Sequence, residues 1–342
     1  MRKQEPPYCV TFEFVRGCSL QCPFCGINAV QSKPMENLKF MSVGAAKILA
    51  NRLADSGWNP RIEIAMVGEP SLHPKMCELV KIFRKANPEL SLMIMSNGTG
   101  FLKGDTLSKI VSVFDSGLNL LGLDDYRHVN TINRIFTKIN KQDLANNNIK
   151  LYRYPQEREG NPNKRRGKNE RVVTITQGVD TAKHGTHAGT STHAGFGSPP
   201  EFITKRCAKP FRELAIGWDG RVNVCCNDII SEASVGNVID SSFEEVWQSD
   251  IMNAYRKYLY HGLRTERPCY GCTEKIMRAG LLPDKYGKEE LPLPNDKDKA
   301  LIHKVLSQGP SYPIMGTAMS NVYPILSPWL KKVWDKKRSE QE

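Results

Sequence analysis

Three cysteines near the start of the chain are spaced Cys18-x3-Cys22-x2-Cys25, within the run Arg16-Gly17-Cys18-Ser19-Leu20-Gln21-Cys22-Pro23-Phe24-Cys25-Gly26. That spacing fits neither a disulfide framework nor a usual zinc site. Three thiolates on one short loop can hold three irons of a [4Fe–4S] cube and leave the fourth open. An open position is what lets a metal centre bind a substrate or cofactor directly. A second set, Cys207, Cys225, Cys226, Cys269 and Cys272, lies far downstream. Four of these five thiolates suffice for a complete [4Fe–4S] site, and four would equally serve a structural zinc.

The elements around the first loop must hold it at one end of a core. Val10 to Val15 is strand-like and leads straight into the cysteines. Ser42 to Asp55 has helical apolar spacing with Ser42 as a plausible N-cap. Arg61 to Met66 reads as a strand, and Pro74 to Ala86 as a helix with Pro74 in its first turn. Leu90 to Met95 is β-like and runs into the turn signal Ser96-Asn97-Gly98. Thr106 to Asp115 is helical, Leu118 to Leu123 a strand, Val129 to Ile139 helical and Ile149 to Tyr154 a strand. This βαβα rhythm implies parallel strands covered by helices, as an open sheet or a barrel. Around the second cysteine set, Leu214 to Cys225 reads as a β-hairpin with its turn at Asp219-Gly220, and Val246 to Tyr258 as a helix leading to Cys269-x2-Cys272.

Between the two halves, residues 156–200 are rich in Gly, Asn, Ser, Thr and basic side chains and carry no helix-length apolar pattern. They read as a linker or lid. His187 and His193 fall in a short Thr-His-Ala-Gly repeat there, with His184 nearby, a candidate metal site on a backbone too glycine-rich to hold ligands rigid. The net charge is +12, and it is partly local, in the block Lys164, Arg165, Arg166, Lys168 and Arg171 and in a basic tail around Lys331 to Arg338. Such charge favours anionic partners, although no nucleic-acid-binding motif accompanies it. No run of 18 or more apolar residues exists, so no membrane-spanning helix is expected, and the N-terminus lacks a signal peptide's apolar stretch. Ten cysteines without that signal suit a reducing compartment, hence a cytoplasmic protein.

The first cysteine motif, with Phe24 before its last cysteine and its place after a first strand, resembles the radical S-adenosylmethionine (radical SAM) superfamily. Val67-Gly68-Glu69-Pro70 resembles that family's G-G-E-P motif, with Val67 in place of the first glycine. The downstream cysteines, Gly236-Asn237-Val238 and Phe243-Glu-Glu-Val-Trp247 are similar to the family's auxiliary-cluster domain, called SPASM in full and twitch when shortened. No cysteine follows Cys272, so the twitch form fits better. The implied fold is α/β: a partial (β/α)6 barrel over residues 1–155, the linker or lid 156–200, a small α+β twitch domain over 201–280 and a basic tail 281–342 of no identified role. The resemblance implies one [4Fe–4S] cluster on Cys18, Cys22 and Cys25, and a second on Cys207, Cys225, Cys269 and Cys272. Cys225 is taken over its neighbour Cys226 from the Gly220-x4-Cys225 spacing. It also implies that S-adenosylmethionine chelates the open iron, with Phe24, Gly68, Glu69, Pro70, Ser96, Asn97 and Arg153 around it. Glu69 would accept from the ammonium, Ser96 and Asn97 would contact the ribose, and Arg153 would pair with the carboxylate.

The implied chemistry is reductive cleavage of S-adenosylmethionine and removal of a hydrogen from an unactivated C–H. An auxiliary cluster favours two-electron oxidation or cross-linking of a small polar metabolite or a peptide. A radical epimerase would need a thiol hydrogen donor. Cys9, Cys77 and Cys226 remain outside the two ligand sets, with Cys226 and Cys77 the candidate catalytic thiols. Modification of a nucleic-acid base is the reading the basic blocks suggest. The expected electron donor is an acidic flavodoxin or ferredoxin, which positive charge would steer. Failure to cleave S-adenosylmethionine when reduced would leave a non-enzymatic iron–sulfur electron carrier or nucleic-acid-binding module.

Overall fold

Short apolar runs punctuated by Gly, Asn and Pro fold into the strands of one large sheet. A computed structural model of the protein describes residues 3–22, 25–126, 129–176, 206–269, 272 and 291–309. In chain order the first half supplies β1 (Cys9–Phe12), β2 (Val15–Arg16), β3 (Lys39–Phe40), α1 (Val43–Asp55), β4 (Arg61–Ile64), α2 (Met76–Ala86), β5 (Ser91–Ser96), α3 (Thr106–Asp115) and β6 (Leu120–Asp124). It continues through α4 (Thr131–Phe136), α5 (Lys141–Ala145), β7 (Lys150–Tyr154) and β8 (Val172–Thr176). The second half gives α6 (Lys209–Arg212), β9 (Glu213–Ile216), β10 (Arg221–Asn223), β11 (Ser234–Asn237), α7 (Phe243–Trp247), α8 (Asp250–Tyr260) and α9 (Asp296–Gln308).

The sheet order is β11-β10-β9-β1-β4-β5-β6-β8-β7. From β9 to β7 every pairing is parallel, and β10 and β11 add an antiparallel extension at one edge. Among the described residues β7 and β11 are the edges, so the sheet stays open, as a partial barrel requires. Strands β1 and β4 to β6 are buried almost throughout. Such two-faced burial is what a parallel sheet under helices produces, and why these runs read as apolar without alternation. The covering helices start where short polar side chains cap them. Ser42 accepts from Ala45 N–H at 3.0 Å and Asp105 from Ser108 N–H at 3.0 Å.

The two halves share one apolar core. Phe12 of β1 packs on Phe83 of α2 at 4.7 Å and on Phe243 of α7 at 6.5 Å between ring centroids. Trp58 meets Phe243 and Trp247 at 6.0 and 6.4 Å. The expected hairpin is present as β9 and β10. Gly220 takes φ +81 at its turn, and a Cβ there would lie 2.6 Å from Ile239, so the turn needs the residue without one. No helix among the described residues is long and apolar enough to cross a membrane.

Several elements differ from the sequence reading. The strand expected over 10–15 is split into β1, in the large sheet, and β2, which pairs with β3 in a separate two-stranded sheet. Residues 172–176, within the expected linker, form β8 and insert between β6 and β7. Val172 to Thr176 are β-branched and four of the five are buried, but a five-residue run among glycines and charges gives little periodicity to find. The helix expected over 246–258 is two, because Ser249 caps α8 by accepting from Met252 N–H at 3.3 Å. Part of the expected tail is α9, whose buried Ile302 and Lys257–Asp298 ion pair (2.8 Å) bind it to α8. The histidines at 184, 187 and 193 and the basic residues beyond 309 lie outside the described residues.

The basic block at 164–171 is largely absorbed by the fold. Arg166 is 6% exposed and donates to the carbonyls of Glu159 and Asn161 at 2.7 and 3.1 Å. Lys168 pairs with Glu89 and Arg171 with Asp115, each at 2.9 Å, while Arg165 reaches the Asn59 carbonyl. These contacts close the loop before β8, leaving the block a structural explanation.

Candidate functional site

Parallel strands present their C-terminal ends at one side of the sheet, and that is where open α/β folds place ligands. A cavity of about 320 Å3 opens there. Its walls include Cys18, Cys22 and Cys25 from the loop after β2, Gly68 and Glu69 after β4, and Ser96 and Asn97 at the end of β5. The loop is braced locally. Gln31 Oε1 accepts from Cys18 N–H at 2.9 Å, and Met35 N–H donates to the Cys18 carbonyl at 2.8 Å. Burial first of all pushes the Cys18 and Cys22 thiols up to about 12 and raises Cys25 as well. Buried thiols of this kind become thiolates when a metal replaces their protons. The surroundings already donate to sulfur: Leu20 N–H to Cys18 at 3.3 Å, Asn97 Nδ2 to Cys18 at 3.3 Å, and Ile27 N–H to Cys25 at 3.5 Å. Such donors stabilise cluster-bound thiolates, so the residues present fit an iron–sulfur cluster.

Glu69 is the polar hub of the wall next to the cysteine loop. It is buried, and its carboxylate accepts from Ser71 N–H (2.8 Å), Ser96 Oγ (2.6 Å) and Asn97 N–H (2.7 Å). Burial still raises its carboxyl above the ordinary value, against those three bonds. Gly68 is where backbone meets backbone: a Cβ there would sit 1.7 Å from the Val15 carbonyl oxygen. Glu69 N–H donates to the Gly17 carbonyl at 3.1 Å. The segment Val67 to Pro70 is therefore stapled to the root of the cysteine loop. Pro70 opens the short turn that Glu69 caps and is buried, without lining the cavity.

Arg153 does not reach this cavity. Its strand β7 is the sheet edge, register-paired with β8 (Arg153 against Ile175), and its side chain is exposed. The strand beside β6 is β8, so the neighbouring strand end belongs to Thr176. Phe24 lies outside the described residues.

Residues outside the sequence-predicted set complete the walls, Glu63, Asp124, Tyr126, Glu213 and Asn227 among them, and the candidate thiol Cys226 lies there too. Asp124 closes β6, and an acidic residue at the C-terminal end of a parallel strand was the available signal. Its carboxylate accepts from Thr176 Oγ1 and from Tyr126 Oη (3.3 Å), yet burial lifts it from 3.8 to about 6. Between those two values the folded state holds a proton that the unfolded state has lost. Stability therefore falls as pH rises through that window, by up to about 1.4 kcal/mol per pH unit. Asp228 and Glu232, both raised to about 6, contribute with the same sign. Urea midpoints measured from pH 4 to 7 should show a shallower fall in Asp124→Asn than in the parent, since the amide can keep both partners.

A second cavity lies behind this wall, lined by Cys207, Cys225, Cys269 and Cys272 together with Lys209, Asn227 and Arg264. Cys207 enters just before α6, Cys225 follows β10, and Cys269 and Cys272 follow α8. Asn227 N–H donates to Cys225 Sγ at 3.3 Å. The adjacent cysteines divide the two cavities: Cys225 lines the second and Cys226 the first, with Asn227 lining both. Cys226 Sγ lies 2.9 Å from Lys209 Nζ. Its hydrogen bond with Cys225 and that ammonium hold it below the ordinary thiol value despite burial. Among the described residues no three His, Cys, Asp or Glu side chains are grouped tightly enough to hold a single metal ion. The cysteines wall their cavities without converging on one point.

Residues 207–273 match the SPASM family, an iron–sulfur cluster-binding domain. No curated protein matches the chain at significant similarity. Among solved structures, the crystal structure of BtrN in complex with AdoMet and 2-DOIA matches with a TM-score of 0.60 at 16% identity, covering 84% of this chain and 98% of that one. BtrN in an open conformation matches with a TM-score of 0.53 at 15% identity, over 79% and 93% of the two chains. Native anSMEcpe with bound AdoMet gives 0.46 at 13% identity, over 88% and 98%. The BtrN matches establish a shared fold across nearly the whole of that protein.

Proposed function

We propose that this chain, a radical SAM protein carrying a SPASM iron–sulfur domain, uses S-adenosylmethionine to oxidise a substrate held in the central cavity. The observation that carries the reading is the composition of that cavity. Cys18, Cys22 and Cys25 share it with Glu69, Ser96 and Asn97, and with Cys226 and Asn227 from the segment that also bears Cys225. One site thus touches the loop that would hold the first cluster and the wall of the one that would hold the second.

Cys18, Cys22 and Cys25 would hold the first cluster, and Cys207, Cys225, Cys269 and Cys272 the second. When bound, a reduced cluster with S-adenosylmethionine supplies homolytic cleavage of the sulfonium and a 5′-deoxyadenosyl radical that takes hydrogen from an unactivated C–H. Glu69 offers the buried acceptor for the cofactor's ammonium, and Ser71, Ser96 and Asn97 hold that carboxylate in place. Asn97, donating through Nδ2 to Cys18, ties the cofactor wall to the first thiol. Asp124 and Glu63 line the remaining space, which suits a polar substrate, either a small metabolite or a peptide. BtrN, similar in fold, is described with the small molecule 2-DOIA, and that favours a small polar metabolite.

Anaerobic incubation of the reduced, reconstituted protein with S-adenosylmethionine tests this. Formation of 5′-deoxyadenosine and methionine is expected, and none from fully loaded protein would overturn the reading.

Radical epimerisation is the second reading, favoured by Cys226. Of the three cysteines outside the two sets it alone lines the central cavity. Cys77 lines a separate one, and Cys9 is buried against Arg61 at 3.6 Å. Solvent deuterium retained in the product, and lost in Cys226→Ala, would select it over oxidation.

Electrons must enter from outside. A cavity of about 610 Å3 lies between α2 and α3, bordered by Lys75, Lys103, Lys109 and Met35, and Met35 is bonded to the Cys18 carbonyl. Its lysines complement an acidic flavodoxin or ferredoxin. Lys75→Glu/Lys103→Glu should slow reduction by such a donor about tenfold or more at low salt. Reduction by dithionite should stay unchanged, and equal losses with both reductants would contradict this entry face.

A further inference from the structure

Lys209 is a buried lysine between two cavities, and the oxidation described above does not yet use it. It sits at the start of α6, two residues after Cys207, and is 9% exposed. It lines the cavity of Cys207, Cys225, Cys269 and Cys272. Its ammonium nevertheless reaches toward the central cavity, donating to Glu213 Oε2 at 3.0 Å and to Cys226 Sγ at 2.9 Å, and both partners line that cavity. Arg264 lines the four-cysteine cavity as well, with Nη1 3.4 Å from the Cys272 carbonyl. Asp228, buried nearby, already accepts from Glu232 N–H and Ala233 N–H, each at 2.9 Å.

A cluster held by four thiolates gains one negative charge when it takes up one electron. A cation fixed in its wall, away from water, stabilises that added charge, and local charge is among the factors that set cluster potentials. We propose that Lys209 is a positioning residue that raises the reduction potential of the group held by Cys207, Cys225, Cys269 and Cys272 and so biases it to accept an electron from the central cavity. Glu213 sets how far that charge is felt, because it neutralises part of it from the other side. The inference rests on the reading that the four cysteines hold an iron–sulfur cluster.

The test isolates that cluster in the full chain carrying Cys18→Ala/Cys22→Ala/Cys25→Ala and follows its reduction by EPR during a redox titration. Absence of any reducible cluster in this background would sink the underlying reading. Given a cluster, Lys209→Met should lower the ratio of reduced to oxidised cluster at a fixed potential about tenfold, a midpoint displacement of about 59 mV for one electron. Lys209→Arg should restore it. Glu213→Gln should move the midpoint the opposite way, and it decides the matter if Lys209→Met fails to load a cluster. An intact cluster whose midpoint ignores both the methionine and the glutamine substitution, or ignores the glutamine substitution where the methionine variant carries none, would overturn the role of Lys209 while leaving the four-cysteine cluster standing.

Discussion

Gly68→Ala should cost about a hundredfold or more in S-adenosylmethionine affinity, the scale on which displacements of about 1 Å act in preorganised sites. The added Cβ would stand 1.7 Å from the Val15 carbonyl oxygen, 2.5 Å from its carbon and 2.9 Å from the Gly17 carbonyl. Both neighbours are main chain, so no side-chain rotation relieves the clash. Either Val67–Glu69 or the root of the cysteine loop must move, and both are walls of the same cavity. The strain should also lower global stability by about 1–3 kcal/mol, as overpacking of a tight interior does. Equilibrium binding of S-adenosylmethionine to the anaerobic protein, with a urea titration beside it, checks both. Unchanged affinity would mean that this backbone contact does not shape the binding site.

Glu69→Gln carries the second large effect, for a different reason. The carboxylate meets three donors and makes no donation of its own. An amide offers one acceptor oxygen and one donor nitrogen, so at least one backbone N–H, from Ser71 or Asn97, faces another N–H. Each buried donor left unmatched costs about 1–3 kcal/mol. The variant also loses the negative charge that would receive the cofactor's ammonium. Charged hydrogen bonds are worth about 1.5–3 kcal/mol, which corresponds to roughly ten- to a hundredfold in affinity. Glu69→Gln should therefore bind S-adenosylmethionine weakly while retaining iron on Cys18, Cys22 and Cys25. Loss of that iron together with cofactor binding would assign Glu69 to holding the loop instead.

Much of this was legible in the sequence because chemistry and backbone constraint coincide there. Cys18, Cys22 and Cys25 announce themselves by spacing, and Gly68 and Glu69 by following an apolar strand; all of them line one cavity. The downstream cysteines were legible for the same reason, and the turn at Asp219-Gly220 delivers Cys225 rather than Cys226 to the four-cysteine cavity. What was hidden depends on strand order. Periodicity finds a strand but not its neighbours, so Arg153 was read at a cavity edge that β8 occupies instead. The basic block at 164–171 looked like a surface because charge alone does not reveal that Arg166 is buried on the Glu159 and Asn161 carbonyls. Lys209, Glu213 and Asp124 belong to no motif. Their meaning comes from a sheet that sets β9 beside β1 and ends β6 at the same cavity.

The most direct test is the iron and sulfide content of Cys18→Ala/Cys22→Ala/Cys25→Ala after anaerobic reconstitution. About four irons per chain, carried by the remaining cysteines, is the expected result, because each [4Fe–4S] cluster needs its own set of thiolates. Essentially no iron would contradict the account: the four-cysteine cavity would hold zinc or bare thiols, and the electron-accepting partner of the central cavity would be gone.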